Sequence, residues 1–485
     1  MQQSQLQVAI ISGGTATNAL VPHFRAMASH VSYILPISDN GGSTSELIRV
    51  IGGPAIGDIR SRLTRLIPEN QKALRRLLGF RLSEDPVVAK AEWNDLVDGS
   101  HELWRDIEPA RREIFRAFII HVNVELLKRS KHQSAVKTTK KQFRYELASI
   151  GNLFLTGARL FIGSLDSAVE LFSRLSGIDP DVEVLPCINT NFSYHISALL
   201  QNGLIITGQS QISHPSEDQT PDNYPPPISK TRPSTPSFEG EPLGDYFGGR
   251  VSVDTPISNI TAVNHSLTTG DQIEQGSDFS EISDDEETGS VPQYTHPELK
   301  KSQLHFSKSD GLTPLLSPIE RIFYVSPYGE EIRPTAHHKV CTTLSNADVV
   351  IYSIGSLMTS IVPVVVLKGV GKAIASELTN GGTKKRILLL NGCSDRETHG
   401  MEASDYIRVI VESASYSFRK QGGTDGDWRR FVSYLFYMSD SKIRVDKDLI
   451  ASRGVECVEV RRESADSDCF DLTDLEAKLR MVTNV

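Results

Sequence analysis

The segment Ile37-Ser38-Asp39-Asn40-Gly41-Gly42-Ser43-Thr44 gathers a carboxylate, an amide, two glycines and a run of hydroxyls. Glycines let backbone N–H groups approach a phosphate closely, and a helix starting there adds a field that favours an anion. Asp39 alone would repel a phosphate. It fits a site in which it holds a metal ion, a ribose hydroxyl or a reacting hydroxyl. Upstream, Ser12-Gly13-Gly14-Thr15-Ala16-Thr17-Asn18 follows the same logic. It has neither the full dinucleotide fingerprint nor a P-loop lysine, so alone it reads equally well as a tight strand-to-helix turn. A third turn, Gly52-Gly53-Pro54-Ala55-Ile56-Gly57-Asp58-Ile59-Arg60, carries a second carboxylate. Asp58 suits a helix N-cap, and Arg60 can grip a phosphate with two N–H groups.

These turns can converge only at the carboxyl ends of neighbouring parallel strands, where open α/β sheets bind their ligands. Apolar runs supply such strands at Gln7–Ile11 and at 31–37, and helices are expected at 19–27 and from Glu46 onward. Helical apolar spacing recurs at 72–78 and 111–127, where Trp93 and Trp104 are expected to pack within a helical layer. Residues 143–161 read as a helix with Asn152 near its middle. An asparagine there is unfavourable on propensity and needs a partner: a base or ribose on one reading, a neighbouring loop on the other. A helix is expected at 166–176. Short strands are expected at Val182–Pro186 and 204–207, with an Asn202-Gly203 turn before the second. Later strands are expected at 322–325, 348–352, 386–390 and 457–460, and helices at 404–415, 428–436 and 472–481. The alternation implies an α/β fold, doubly wound around a mostly parallel, Rossmann-like sheet, with an added helical layer.

The motifs Gly13-Gly14-Thr15, Ser38-Asp39-Asn40-Gly41-Gly42-Ser43 and Gly57-Asp58-Ile59-Arg60, in this order, resemble the CofD/YvcK-like family. That family holds the 2-phospho-lactate transferases of deazaflavin cofactor synthesis and the bacterial gluconeogenesis factors that bind nucleotide sugars. Ser149-Ile150-Gly151-Asn152-Leu153-Phe154 resembles its Gly-Asn-Leu helix. Ala347 to Ser360 resembles its late strand and Pro-Gly-Ser-Leu turn, and 385–406 its next strand, loop and helix. Ala16, Asn40 and Ile354 stand where the family usually has a glycine, an aspartate and a proline. The resemblance implies a eukaryotic-type member carrying a disordered insertion.

Three functional readings follow. The leading one is a nucleotide or nucleotide-sugar binding protein of the gluconeogenesis-factor type, acting as a metabolic regulator. Gly13, Gly14, Thr15, Gly41, Gly42 and Ser43 would cradle a diphosphate, with Asn40 beside them. Gly355 and Ser356 would close the crevice, and Asn152 would read the base or sugar. The alternative is a transferase in which an acceptor hydroxyl attacks a nucleoside diphosphate ester with help from Mg2+. Asp39 would hold the metal or the acceptor, with Asp58 as second catalytic carboxylate and Arg60 steadying the phosphates. Positioning and charge neutralisation carry most of such catalysis. The third reading is a scaffold with a vestigial site. No nucleophile–base arrangement favours a hydrolase. His337-His338 lacks metal-motif spacing, and His195 and His399 read as structural hydrogen-bonders.

Composition sets the remaining bounds. The 485 residues carry a net charge of −9, which argues against general nucleic-acid affinity. The basic stretch 128–144 reads as a solvated face. Cys187, Cys341, Cys393, Cys457 and Cys469 are odd in number and widely spaced, which argues against a disulfide framework or metal-type pairs. A reducing compartment is expected, the cytoplasm with nuclear access, and no signal or transit peptide. The uncharged run 349–367 is broken by Ser353, Gly355, Ser356 and Pro363 and reads as a buried strand, turn and short helix rather than a membrane span. Residues 214–317 are dominated by proline, serine, threonine and acids. They divide the chain into 1–213 and 318–485, the two parts of one α/β domain, around a disordered insertion. Thr235-Pro236, Thr255-Pro256, Ser317-Pro318 and the acid-flanked Ser283 would suit protein kinases as partners.

Overall fold

Strands β1 (Gln7–Ile11), β2 (His30–Leu35) and β3 (Val182–Pro186) line up in parallel on one side of the fold. Strands β8 (Val349–Tyr352), β9 (Lys385–Leu389), β10 (Tyr434–Met438) and β11 (Glu456–Val460) extend the same sheet the other way. The spatial order is β11-β10-β9-β8-β1-β2-β3, and β1 pairs in parallel with β8 through Val8–Val349 to Ile11–Tyr352. The chain winds outward in both directions from that pair, so the point where strand order reverses lies between the ends of β1 and β8. Val8, Ile10, Ile11, Val31, Ile34, Val350 and Ile351 are all buried, which is why these strands read as continuous apolar runs.

This computed structural model describes residues 6–38, 41–132, 143–213, 315–326, 329–378, 381–418, 427–464 and 466–484. Side chains 130–132 are outside this set, as are Asp39, Asn40 and all but the last three residues of the expected insertion. Of the basic stretch, the Lys131 side chain and all of Lys137, Lys140 and Lys141 fall outside it too.

Helices Lys72–Gly79, Pro86–Asp98, Pro109–His132, Ile150–Ile162 and Leu165–Ser176 form the helical layer. Trp93 and Trp104 are buried in it. The Trp93 indole N–H donates to Asn123 at 2.9 Å and that of Trp104 to the Leu96 carbonyl at 3.1 Å. A second, antiparallel sheet was not foreseen. It has the order β5-β4-β6-β7, from β4 (His195–Leu200), β5 (Ile205–Thr207), β6 (Ile319–Val325) and β7 (Glu331–Ile332). Gly203 takes the left-handed conformation (φ 86°) that the β4–β5 turn requires. The chain passes out of the described residues after Ser213 and returns at Leu315, between β5 and β6 of this sheet. Among the described residues no helix is long and apolar enough to cross a membrane. Val349 to Leu367 forms β8, a turn, a one-turn π-helix and a short helix, as its interrupted pattern implied.

Two expectations fail. Residues 428–436 are not a helix but a 3-10 turn at Trp428–Arg430 followed by β10. Residues 143–149 are not helical either. They pair with the Phe80–Ser83 segment, where Leu82 N donates to Ala148 O at 3.0 Å and Leu147 N to Ser83 O at 3.2 Å. The helix therefore begins at Ile150, and Asn152 lies in its first turn, not its middle.

The β1 turn requires its glycines for space. A Cβ on Gly14 would lie 2.6 Å from the Asp58 Cα, and one on Gly13 2.7 Å from the Ser360 hydroxyl. We expect Gly14→Ala to lower unfolding stability by about 1–3 kcal/mol, the usual cost of overpacking. Gly42→Ala meets open space at a φ of 55° and should cost about 1 kcal/mol through backbone strain alone. Urea midpoints check both, and an unchanged midpoint for Gly14→Ala would contradict the close approach.

Candidate functional site

Three chain segments meet beyond the carboxyl ends of β1 and β8. The Gly13-Gly14 turn leaves β1 and packs against Asp58, in the first turn of the Gly57–Leu66 helix. Asp58 is not the N-cap, which is Ile56. The carboxylate lies against Gly14 instead, in the fields of Arg60 and Arg62. Ser61 Oγ donates to the Gly14 carbonyl at 3.2 Å, and the buried Arg62 donates to the Gly13 carbonyl at 3.1 Å. From the other side, Thr17 Oγ1 donates to Ser353 Oγ at 3.0 Å at the end of β8. Thr15 is exposed at the mouth of the turn.

The second glycine turn opens the Gly42–Val50 helix from Gly41, so Gly42 and Ser43 occupy a helix N-terminus, as an anion site would need. Ser43 is buried and accepts from the Asn152 amide at 3.0 Å, while the Asn152 carbonyl oxygen accepts from Arg60 Nε at 3.3 Å. Both ends of the buried amide are therefore engaged. Asn152 thus ties the first turn of one helix to the guanidinium of another. The Ile150 start of its helix sets this geometry. Gly151 lets the helix approach closely, since a Cβ there would lie 2.5 Å from the Leu78 carbonyl.

Three arginines lie on the helices that carry these turns and their neighbours: Arg62 and Arg159 are buried and Arg60 is half-buried. Burial lowers Arg60, Arg62 and Arg159 to about 10, so all three stay charged at neutral pH. Arg62 stacks its guanidinium 4.6 Å above the Tyr33 ring, and its Nε and Nη1 have no hydrogen-bond partner among the described residues. Arg159 donates to the Gly52 carbonyl at 3.2 Å and makes no ion pair among the described residues. Gly53 (φ 98°) gives it room, because a Cβ there would lie 2.6 Å from the Arg159 Cζ. Buried guanidiniums with so little carboxylate beside them create a positive field. Arg62 and Arg159 carried no motif in the sequence.

The β8 turn brings in a residue that sequence reasoning missed. Gly355 (φ 130°) exchanges two hydrogen bonds with Asn391, donating its N–H at 3.0 Å and accepting the amide at 2.7 Å. Ser356 caps the following turn and donates to the buried carboxylate of Glu397. Ser213 Oγ donates to the same carboxylate, and Thr359 Oγ1 does so at 2.9 Å. Gly355 and Ser356 are thus held in place by Asn391 and Glu397. Burial, helped by the Asp395 charge, pushes Glu397 up to about 7 against the opposing effect of the three hydroxyls. His195 is buried and lowered by that burial to about 4, so it is neutral at pH 7. His399 is exposed.

The described residues contain no group of three His, Cys, Asp or Glu side chains able to hold a metal. Asp39, the expected ligand, lies outside them, and the nearby Asp58 stands among guanidiniums. The described donors alone do not make a Mg2+ site.

A family model described as 2-phospho-L-lactate transferase CofD matches residues 8–474. A Saccharomyces cerevisiae protein described as uncharacterized protein YNL011C is 40% identical, over 98% of this chain and 99% of its own length. A crystal structure of protein BH3568 from Bacillus halodurans superposes with a TM-score of 0.54 at 15% identity, covering 98% of this chain and 99% of that one. A second structure of the same protein, described as a member of the upf0052 family, gives the same values. At that identity the two structures speak for the fold alone.

Glu397 generates a pH prediction. Its folded-state value lies above its ordinary 4.5, so the unfolded chain ionises first as pH rises. Its contribution to stability is complete below about pH 4.5 and is lost as pH rises to about 7. Glu397→Gln should remove this loss, so that its melting temperature gains on wild type between those pH values and runs parallel above them. Parallel curves throughout would show that Glu397 is ionised in the fold.

Proposed function

This chain belongs to the 2-phospho-L-lactate transferase CofD family, and on that premise we propose that it is a group-transfer enzyme acting on a nucleoside diphosphate ester. The family description supports this reading over the nucleotide-sensing regulator that the resemblance also implies. The single observation that carries it is the linkage of the Gly13-Gly14 and Gly42-Ser43 turns, through Asp58, the half-buried Arg60 and Asn152, beside the switch point of the sheet. Backbone N–H groups of the glycine turns would bind the diphosphate oxygens, with the guanidiniums supplying the balancing charge.

In the proposed step the acceptor hydroxyl oxygen attacks the phosphorus distal to the nucleoside. A new P–O bond forms, the bridging P–O bond breaks, and nucleoside monophosphate leaves with the electron pair. Asp39 takes the hydroxyl proton or orients the hydroxyl. Asp58 acts as a positioning residue by holding the Gly14 turn and the guanidiniums in register. Asn152 keeps the Ser43 hydroxyl and Arg60 aligned. A Mg2+ ion, if held by Asp39 and the substrate oxygens, would neutralise phosphate charge. The proposed partners are therefore a nucleoside diphosphate conjugate and a hydroxyl acceptor, and the proposed compartment is the cytoplasm.

Turnover is read by 31P NMR as release of nucleoside monophosphate from diphosphate esters in the presence of hydroxyl acceptors. Asp39→Asn should slow release by roughly 10²-fold or more, the scale of a lost general base, with little change in substrate Kd. Unchanged release in that variant would remove Asp39 from the chemistry. Binding lost along with turnover would make it a ground-state contact or metal anchor.

A further inference from the structure

At the opposite edge of the sheet, the amino ends of β9, β10 and β11 surround a cleft of about 600 Å³. Five cations line it: Lys384, Lys385, Arg386, Arg429 and Arg430. Three acids line it with them, Glu377, Asp427 and Glu456.

Two of the cations are structural. The buried Lys384 ammonium donates to the carbonyls of Leu344 at 2.8 Å and Ser345 at 2.9 Å, in the last turn of the His338–Asn346 helix. The buried Arg386 donates to the Ile374 carbonyl at 2.9 Å, the Ser376 carbonyl at 3.1 Å and Glu377 at 3.2 Å. They satisfy helix carbonyls that would otherwise lack donors, and they hold the cleft wall rigid. Burial and the neighbouring Arg386 charge lower Lys384 to about 8, which still leaves it mostly protonated at pH 7.

The other three cations have no such employment. Lys385 sits 5.4 Å above the Tyr434 ring, 3.4 Å from its hydroxyl. Arg429 and Arg430 are exposed, and neither forms an ion pair among the described residues. The three acids leave the lining with a surplus of cations, and neither Asp427 nor Glu456 forms an ion pair with them among the described residues. Glu377 is engaged by Arg386, and Asp427 accepts from the Arg429 backbone N–H at 3.1 Å. Like charges gathered around one concavity repel, and a bound anion removes that cost. Arginine forks match phosphate oxygens in pairs, and the cleft volume suits a nucleotide-sized ligand.

We propose that this cleft is a second anion site that binds a phosphorylated small molecule through Lys385, Arg429 and Arg430. It is separate from the crevice at the switch point. At about 3.3 Å per residue, β9 and its continuation carry the chain roughly 20 Å from Lys385 to Asn391.

Isothermal titration of the full chain with pyrophosphate at pH 7 tests it. The expected result is a binding component that remains in Asn152→Ala, where the crevice is weakened, and that weakens at least roughly tenfold when R429E/R430E is added to that background, as loss of charged hydrogen bonds implies. The milder Arg430→Gln should weaken it about threefold without altering the melting temperature, which separates lost binding from misfolding. Three results would overturn the proposal: binding by Asn152→Ala that neither arginine change weakens, binding abolished by Asn152→Ala alone, or no binding in the wild type.

Discussion

The absence of room at Gly13 and Gly14 is the constraint on which the rest depends. There the end of β1, the first turn of the Gly57–Leu66 helix and the β8 turn come so close that a single Cβ would collide with Asp58 or Ser360. Because the three segments touch, Arg62 can reach the Gly13 carbonyl and Thr17 can reach Ser353, so the turn is held from below and from the side. Arg60, on the same helix as Asp58, then meets Asn152, which in turn fixes Ser43. The positions of groups far apart in sequence thus follow from one close contact and the short hydrogen-bonded chain built on it.

Charge follows from the same packing. Arg62 and Arg159 are buried, and Arg60 half-buried, by the helices that carry them, yet only Asp58 stands near Arg60 and Arg62 as a described carboxylate. On the β8 side the order is reversed, for Glu397 is buried among hydroxyls and pushed up to about 7, so that a large share of it carries a proton at pH 7. A site with cations on one side and a protonatable carboxyl supporting the other has the charge balance that the proposed diphosphate would need.

Much of the fold was legible because buried parallel strands announce themselves. Gln7–Ile11 and Val182–Pro186 are apolar runs bounded by turn residues, and the structure gives them the same limits. The glycine turns were legible because glycine is required where backbones crowd. Residues 428–436 misled because a short aromatic and apolar run fits a helix and a buried strand equally until its neighbours are known. Asn152 was placed mid-helix because nothing local shows that 143–149 is drawn away to pair with Phe80–Ser83. Glu397 was invisible for a deeper reason. Its burial depends on hydroxyls from Ser213, Ser356 and Thr359, segments remote in sequence from it and meeting only in the folded chain. Arg62 and Arg159 likewise look like ordinary surface arginines on amphipathic helices until the packing is seen.

The central claim is that the switch-point crevice is a diphosphate site. The most direct test is thermal stabilisation of the purified protein across a panel of nucleoside monophosphates, nucleoside diphosphates and nucleotide sugars, with and without Mg2+. A ligand present at a hundred times its Kd should add about 2.7 kcal/mol. The account predicts a selective shift for compounds bearing a diphosphate, strongly reduced in Asn152→Ala. No shift with any compound, or equal shifts in wild type and Asn152→Ala, would contradict it.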